Sequence, residues 1–153
     1  MKKFELALET ESEFFGIKMY RVRALTSFSN VKAGDLGGYV EKEDNLSQEG
    51  SAWVFENALV SENAQVFENA QVSGNAQVYG NAQVYRNAQV CGNALVSGDA
   101  QVYGNAMVHG DYIVTGYLVT LRYLVTLRYL VTLGYMVTLR CYRDWETDRK
   151  SVV

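Results

Sequence analysis

Valine marks the dominant pattern in this chain, because it recurs every six residues from Val54 to Val114, eleven times in all. Alanine stands two residues before the valine in ten of these eleven repeats, and the residue between them is Gln in six. Such alternation sends Ala and Val to one side of a strand and the residue between them to the other. A six-residue period leaves no single apolar face on a helix. Each repeat is therefore predicted to form a short strand followed by a turn.

The turn between two strands is predicted to need a residue that tolerates a positive φ. The residue before the alanine is Asn in eight repeats, Asp in two and Ser in one, whereas the position before it accepts Glu56, Glu62, Glu68 and Arg86 as well as Gly. Because Asn and Asp adopt left-handed geometry most readily among non-glycine residues, we assign that geometry to the Asn position. Stacked Asn side chains are also expected to hydrogen-bond from coil to coil.

Three six-residue sides close most simply into a triangular coil of about 18 residues, with successive coils about 4.8 Å apart. The predicted fold class is all-β: a single-stranded parallel β-helix over residues 51–116, with a small β cap formed by residues 1–50. Strands are expected at Lys3–Glu9 and Ile17–Leu25, and turns at Gly34-Asp35 and Gly37-Gly38. The cap would shield the open edge of the first coil from end-to-end pairing.

Residues 117–153 are interpreted as an irregular extension that combines frameshifted repeat and read artefact. Written as GGT AAC GCT CAG GTA TCT and read one nucleotide later, the repeat encodes Val-Thr-Leu-Arg-Tyr-Leu, the sequence at 119–124 and 125–130. The last six residues back-translate to a sequence resembling a library adapter. The apolar stretch 117–139 also suggests a membrane span, but Arg122 and Arg128 would then lie inside it. As β structure, the same stretch could extend the stack as an irregular coil, or aggregate.

The charge distribution argues against nucleic acid as a partner. The net charge is −3, but residues 1–116 carry 8 Lys/Arg and 14 Asp/Glu, and Arg86 is the one basic residue between 51 and 116. Binding a phosphate backbone needs clustered basic residues. Glu5 and Glu9 interrupt any apolar signal core, so a cytoplasmic location without membrane contact is expected.

Two resemblances sharpen the fold prediction. The repeat, aliphatic at one position and small four residues later, resembles the hexapeptide family, which implies a left-handed parallel β-helix of the kind seen in many trimeric acyltransferases. The run from Phe28 to Val40, followed by Asn45-Leu46-Ser47-Gln48-Glu49-Gly50, resembles the N-terminal region of YdcK-like proteins, bacterial hexapeptide-repeat proteins often labelled as transferases. Similar caps occur in prophage proteins. The resemblance transfers no catalytic residues.

Candidate chemistry is sparse. His109, the one histidine, could act as the general base of an acyltransferase, and at 18 residues per coil Cys91 lies directly beneath it, so the pair is a weak catalytic candidate. Two such ligands are too few for zinc, and Cys91 and Cys141 are too few for a disulfide framework, so no metal site or cofactor is expected. Surface residues without a catalytic role are the more frequent explanation for both side chains.

The same arithmetic stacks Phe67, Tyr85 and Tyr103 on one side of the prism as a stacking or self-association face. The leading hypothesis is thus a non-enzymatic structural or protein-interaction solenoid that binds itself, as a trimer for example, or another protein. The alternative is an acyltransferase-like enzyme with an acyl-CoA donor, but such enzymes usually insert a loop between coils and here no repeat is interrupted. A carbohydrate-binding fibre segment is a third hypothesis.

Overall fold

Each valine repeat forms a short strand, and a three-stranded antiparallel segment precedes the repeats. The computed structural model describes residues 2–108, 110, 113–116, 119–121, 131–133 and 137–139. The strands are β1 Phe4–Phe14, β2 Ile17–Ala24, β3 Leu36–Val40, β4 Trp53–Val54, β5 Leu59–Val60, β6 Gln65–Val66, β7 Gln71–Val72, β8 Gln77–Val78, β9 Gln83–Val84, β10 Gln89–Val90, β11 Leu95–Val96, β12 Gln101–Val102, β13 Met107–Val108, β14 Ile113–Gly116, β15 Val119–Leu121, β16 Val131–Leu133 and β17 Val137–Leu139, with one 3₁₀ helix at Glu43–Asn45.

The repeat strands form the three faces of a prism, and within each face they pair in parallel. The hairpin face has the strand order β1-β2-β3-β5-β8-β11-β14-β16, the cysteine face β13-β10-β7-β4, and the aromatic face β17-β15-β12-β9-β6. Within each face the register advances by 18 residues per coil, as in the pairs Val60↔Val78 and Val66↔Val84. The all-β parallel solenoid with coils of about 18 residues is therefore confirmed, and left-handedness stays a prediction.

The core of the prism is a column of small and β-branched side chains. From Ala58 to Ala106 every repeat alanine is fully buried, and so is every repeat valine from Val54 to Val102. The Gln residues between them are exposed or half-buried. This is the predicted inward and outward alternation, and β-branched Val suits it because its restricted rotamers pack well on a pleated surface.

The predicted conformation of the corners is wrong by one residue. Positive φ values fall on the residue before Asn, with φ of 57° at Glu56, 58° at Glu62 and 58° at Arg86, and Gly74 has 66°. The Asn residues are not among the positive-φ residues of the described chain. Their backbone N–H instead donates to the carbonyl of the coil above, as Asn75 does to Gly92 O at 2.8 Å. The preference for Asn therefore reflects its side chain and not its φ.

That side chain forms the predicted ladder between coils, one at each corner. Asn63 Nδ2 donates to Asn81 Oδ1 at 3.2 Å, and Asn81 donates in turn to Asp99 at 3.1 Å. At a second corner, Asn75 donates to Asn93 at 3.3 Å. An amide both donates and accepts, so one residue type can continue the ladder through every coil, which Asp can only terminate when ionised.

The N-terminal hairpin is longer than predicted. Strand β1 extends five residues past Glu9, and Phe15-Gly16 forms its turn with φ of 51° and 79°. The turn expected at Gly37-Gly38 is wrong, since both residues lie within β3. A Cβ on Gly37 would lie 2.3 Å from the carbonyl oxygen of Val54, so glycine is needed there for close approach of two backbones and not for a turn.

Buried Lys3 and half-buried Gln48 and Arg21 tie this hairpin to the first coil. Lys3 Nζ donates to the carbonyl oxygens of Ala52 at 2.8 Å and Gly50 at 3.4 Å, and Gln48 Oε1 accepts from the backbone N–H of Lys3 at 2.8 Å. Arg21 donates to Gly37 O at 2.8 Å, and its guanidinium carbon lies over the Tyr39 ring, 4.4 Å from the centroid. These contacts hold the hairpin across the end of the prism.

The stack begins before residue 51 and continues after residue 116. Strand β3 pairs in parallel with β5, and Leu46 bridges to Val66, so part of the segment predicted as a cap also contributes to the first coil. Strands β15, β16 and β17 extend the aromatic and hairpin faces in parallel. The frameshift and artefact interpretation of residues 117–153 stays a prediction. Among the described residues, no helix has the length and hydropathy needed to span a membrane.

Candidate functional site

The aromatic face carries a column of three stacked rings, which we call the aromatic column: Phe67, Tyr85 and Tyr103. The Phe67 and Tyr85 ring centroids are 4.8 Å apart with an interplanar angle of 3°, and those of Tyr85 and Tyr103 are 5.1 Å apart at 8°. Each residue follows the repeat valine directly, so the 18-residue coil places one ring above another. The column is half-buried on the outside of the prism.

Ring orientation decides what this column can bind. The rings are nearly parallel and follow one another along the stack, so their π faces are directed toward neighbouring rings and their edges toward solvent. A carbohydrate platform requires open ring faces, so the column offers little support for the carbohydrate hypothesis. Gln65, Gln83 and Gln101 lie beside the rings on the same face, and Tyr85 Oη donates to Gln101 Oε1 at 3.5 Å. The surface available to a partner thus combines aromatic edges with uncharged amides.

Charges near the column are few and partly engaged by the rings. The Arg86 guanidinium carbon lies 5.5 Å from the Tyr103 ring centroid and 5.9 Å from that of Tyr85. Burial, followed by the neighbouring Tyr103 phenol, raises the pKa of Tyr85 above its usual value of 10.0. The raised pKa favours the neutral form of the Tyr85 phenol, so association at this ring requires no removal of charge from it.

Of the candidate catalytic pair Cys91 and His109, only Cys91 lies within the described residues. Cys91 lies on the cysteine face, where its backbone N–H donates to Val108 O at 2.8 Å, and its thiol is free and half-buried. Burial and the charge of Glu56 raise the pKa of this thiol above 9.0, the opposite of what a nucleophilic cysteine needs. His109 lies outside the described residues, as does Cys141. The predicted stacking of Cys91 beneath His109 stays a prediction.

The carboxylates do not assemble into a catalytic or metal site. Glu56, Glu62 and Glu68 stand at three different corners of the prism, each after a strand of a different face. Glu62 Oε2 accepts a hydrogen bond from the backbone N–H of Gly80 at 2.9 Å, which is a contact between coils. In the part of the chain that the structure describes, no group of three or more His, Cys, Asp or Glu could hold a metal ion.

Sequence reasoning missed an apolar cleft of about 280 Å³, which lies between the β1–β2 hairpin and the repeat strands β5 and β8 of the same face. It is lined by Phe14, Phe15, Ile17, Met19, Leu59 and Tyr79, together with polar side chains. The cleft brings together residues about 40 to 60 positions apart, so no local periodicity indicates it. Two adjacent aromatic residues before Gly16 were the available signal, but in the sequence they resemble an ordinary strand end.

The repeats are similar to a known family. The family model described as YdcK Beta solenoid repeat matches residues 70–86, 88–100 and 100–116. The resemblance to YdcK-like proteins inferred from the sequence is therefore confirmed in the repeats, although the matched residues lie beyond the N-terminal run that first suggested it. A comparison with curated proteins gives no match.

Proposed function

We propose that this chain is a non-enzymatic structural or protein-interaction solenoid that associates with further copies of itself through the aromatic column. The observation that carries the proposal is the continuous stack of Phe67, Tyr85 and Tyr103, with glutamine amides beside it. Residues 1–116 are acidic, whereas at the column the carboxylate of Glu68 is accompanied by the guanidinium of Arg86, so the charge of the column is closer to balance. Copies that meet at the column bring aromatic edges and amides together, and both groups suit the centre of an interface.

A thin core supports the same proposal. The prism interior receives one Ala and one Val from each of the ten repeats between residues 51 and 108, so each repeat buries little apolar area for the six residues that it orders. The stability of a solenoid depends on the interfaces between successive repeats, and its ends need caps. Association with further copies would bury additional surface. The resemblance to hexapeptide proteins favours a trimer. It also favours left-handed coils, and the resemblance of the cap to YdcK-like proteins favours a bacterial or prophage origin. A cytoplasmic location is part of the same proposal.

Measurement of molecular mass in solution tests this proposal. Sedimentation velocity over a wide range of concentration should show an oligomer of the parent chain, and Tyr85→Ser should shift the equilibrium toward monomer. Tyr79→Ser is the matched control, because Tyr79 occupies the same repeat position on the hairpin face, outside the column. Serine occurs naturally at this position in other repeats, as at Ser73, so both variants should fold. A parent chain that stays monomeric, or equal effects of the two substitutions, would reject the proposal.

The acyltransferase alternative has weaker support. The repeats run without an inserted loop, and the raised pKa of Cys91 disfavours a thiolate nucleophile. Calorimetric titration with acetyl-CoA measures the alternative directly. Binding by the parent chain that is lost in His109→Ala would favour the enzyme over the scaffold.

A further inference from the structure

The tip of the N-terminal hairpin breaks two local rules at one residue. Phe15 is 83% exposed, although a phenyl ring in water forgoes the stabilisation that burial provides. It also has a φ of 51°, a left-handed conformation that is unfavourable for a residue with a Cβ and that Asn would adopt more readily. Features that cost stability without a structural return concentrate at functional sites.

The apolar cleft lies directly beside this exposed ring. Its floor is formed by Met19 and Leu59, which are 1% and 9% exposed, and Phe14 and Tyr79 contribute to its walls. Leu59 occupies the outward position that Gln fills in six other repeats, so the cleft has an apolar residue where the repeat usually has an amide. A cavity of about 150 Å³ is enough for benzene, so the cleft of about 280 Å³ accommodates one aromatic or leucyl side chain.

The charges around the cleft are mainly negative. Glu62 lines it, and Glu41 Oε2 accepts a hydrogen bond from the backbone N–H of Glu62, whereas Glu13 alternates with the lining residue Phe14 and is directly opposite Lys18. Lys18 on the opposite strand of the hairpin is paired with Glu11 at 3.2 Å. Arg21 is directed away, to the carbonyl oxygens of Gly37 and Glu56. None of the residues that line the cleft is basic. A cation brought close to the cleft would therefore be attracted, and an anion repelled.

We propose that this cleft is a docking site for a basic segment of a partner protein, which inserts one apolar side chain and places an adjacent Lys or Arg against Glu62. The exposed Phe15 ring would then pack against the inserted side chain as an interface anchor. A second copy of this chain is the less suitable occupant, because it would bring its own carboxylates to the same rim. The proposal is independent of self-association through the aromatic column, which lies on another face of the prism.

A matched set of peptides tests the chemistry. The probes are the acetylated and amidated heptapeptide Lys-Leu-Lys-Phe-Lys-Leu-Lys, the same peptide with Glu in place of every Lys, and the Lys peptide with Ala in place of Phe. Methyl resonances of Met19 and Leu59 should shift on titration with the first peptide and not with the second. The Ala peptide should bind about tenfold more weakly, because it lacks the side chain that fills the cleft.

Two variants locate the binding site. Leu59→Gln should weaken binding of the Lys-Phe peptide about tenfold, and it should fold because Gln is the usual residue at this position. Leu95→Gln, two coils higher on the same face, is the control and should leave binding unchanged. The proposal would be overturned if both variants had the same effect, or if the Phe and Ala peptides bound equally. Shifts of the cleft methyl groups with protein concentration alone would also overturn it, because they would identify a second copy as the occupant.

Discussion

Lys3 gives the prediction that the structure defines most sharply. Its side chain is directed into the junction between the hairpin and the first coil, where the residue is 5% exposed and Nζ donates to the carbonyl oxygens of Ala52, Gly50 and Glu49 at 2.8, 3.4 and 3.5 Å. Nζ also lies 5.0 Å from the centroid of the Phe28 ring. Burial lowers the pKa of Lys3 from 10.5 to about 8. Lys3 is therefore expected to lose its proton in the folded chain at a pH where the unfolded chain retains it.

The sign of the effect on stability follows from proton linkage. Between pH 8 and pH 10.5 the unfolded chain binds more protons at Lys3 than the folded chain does, so the free energy of unfolding rises with pH in this window. Below pH 8 both states are protonated and the contribution is lost. The pKa difference corresponds to about 3 kcal/mol at most. We expect about half of this value, because the junction is close to solvent and screening reduces the effect.

Urea unfolding at a series of pH values from 7 to 11, followed by circular dichroism, measures this contribution. The comparison is between the parent chain and Lys3→Met, which keeps most of the buried volume and removes the titrating group. The difference in unfolding free energy should change by about 1–2 kcal/mol in favour of the parent between pH 8 and 10.5. Lys32→Met is the control, because Lys32 is exposed and lies in the loop between β2 and β3. It shows how far the removal of an exposed lysine alone changes the unfolding free energy. A difference between parent and Lys3→Met that stays constant across the window would refute the reasoning.

Two further substitutions test the prism itself by urea unfolding. Val84→Ala removes two methyl groups from a fully buried site and should lower the free energy of unfolding by about 2 kcal/mol, whereas Gln83→Ala on the outside should change it by less than about 0.5 kcal/mol; equal effects would contradict the inward orientation of valine. Gly74→Ala should cost about 1–2 kcal/mol, because φ is 66° there and the new Cβ would lie 2.9 Å from Gly92 N. Asn75→Gly should not raise the free energy of unfolding, because Asn75 is not a positive-φ residue. A more stable Asn75→Gly variant would indicate that the Asn position has left-handed geometry.

The sequence alone determined the repeat and its geometry. A strict six-residue period with Ala and Val two apart predicts one strand and one corner in each repeat and three repeats in each coil. The 18-residue coil, the buried valines and the stacking of Phe67, Tyr85 and Tyr103 follow from this period. These features depend on residues that are close in sequence or separated by a whole coil. Periodicity is therefore sufficient to predict them.

Tertiary structure decided the features that depend on contacts without a period. The sequence places Asn at the corners, but only the structure shows that the residue before Asn has the positive φ. The two positions are adjacent and recur with the same period, so the period cannot tell them apart. The Gly37-Gly38 pair is typical of a turn but lies in strand β3. Glycine is needed at position 37 because the backbone of Val54 approaches it closely. The burial of Lys3 and the cleft beside Phe15 arise where the non-repetitive hairpin meets the first coil. Such a junction is formed by side chains distant in sequence, and no local pattern specifies how they pack.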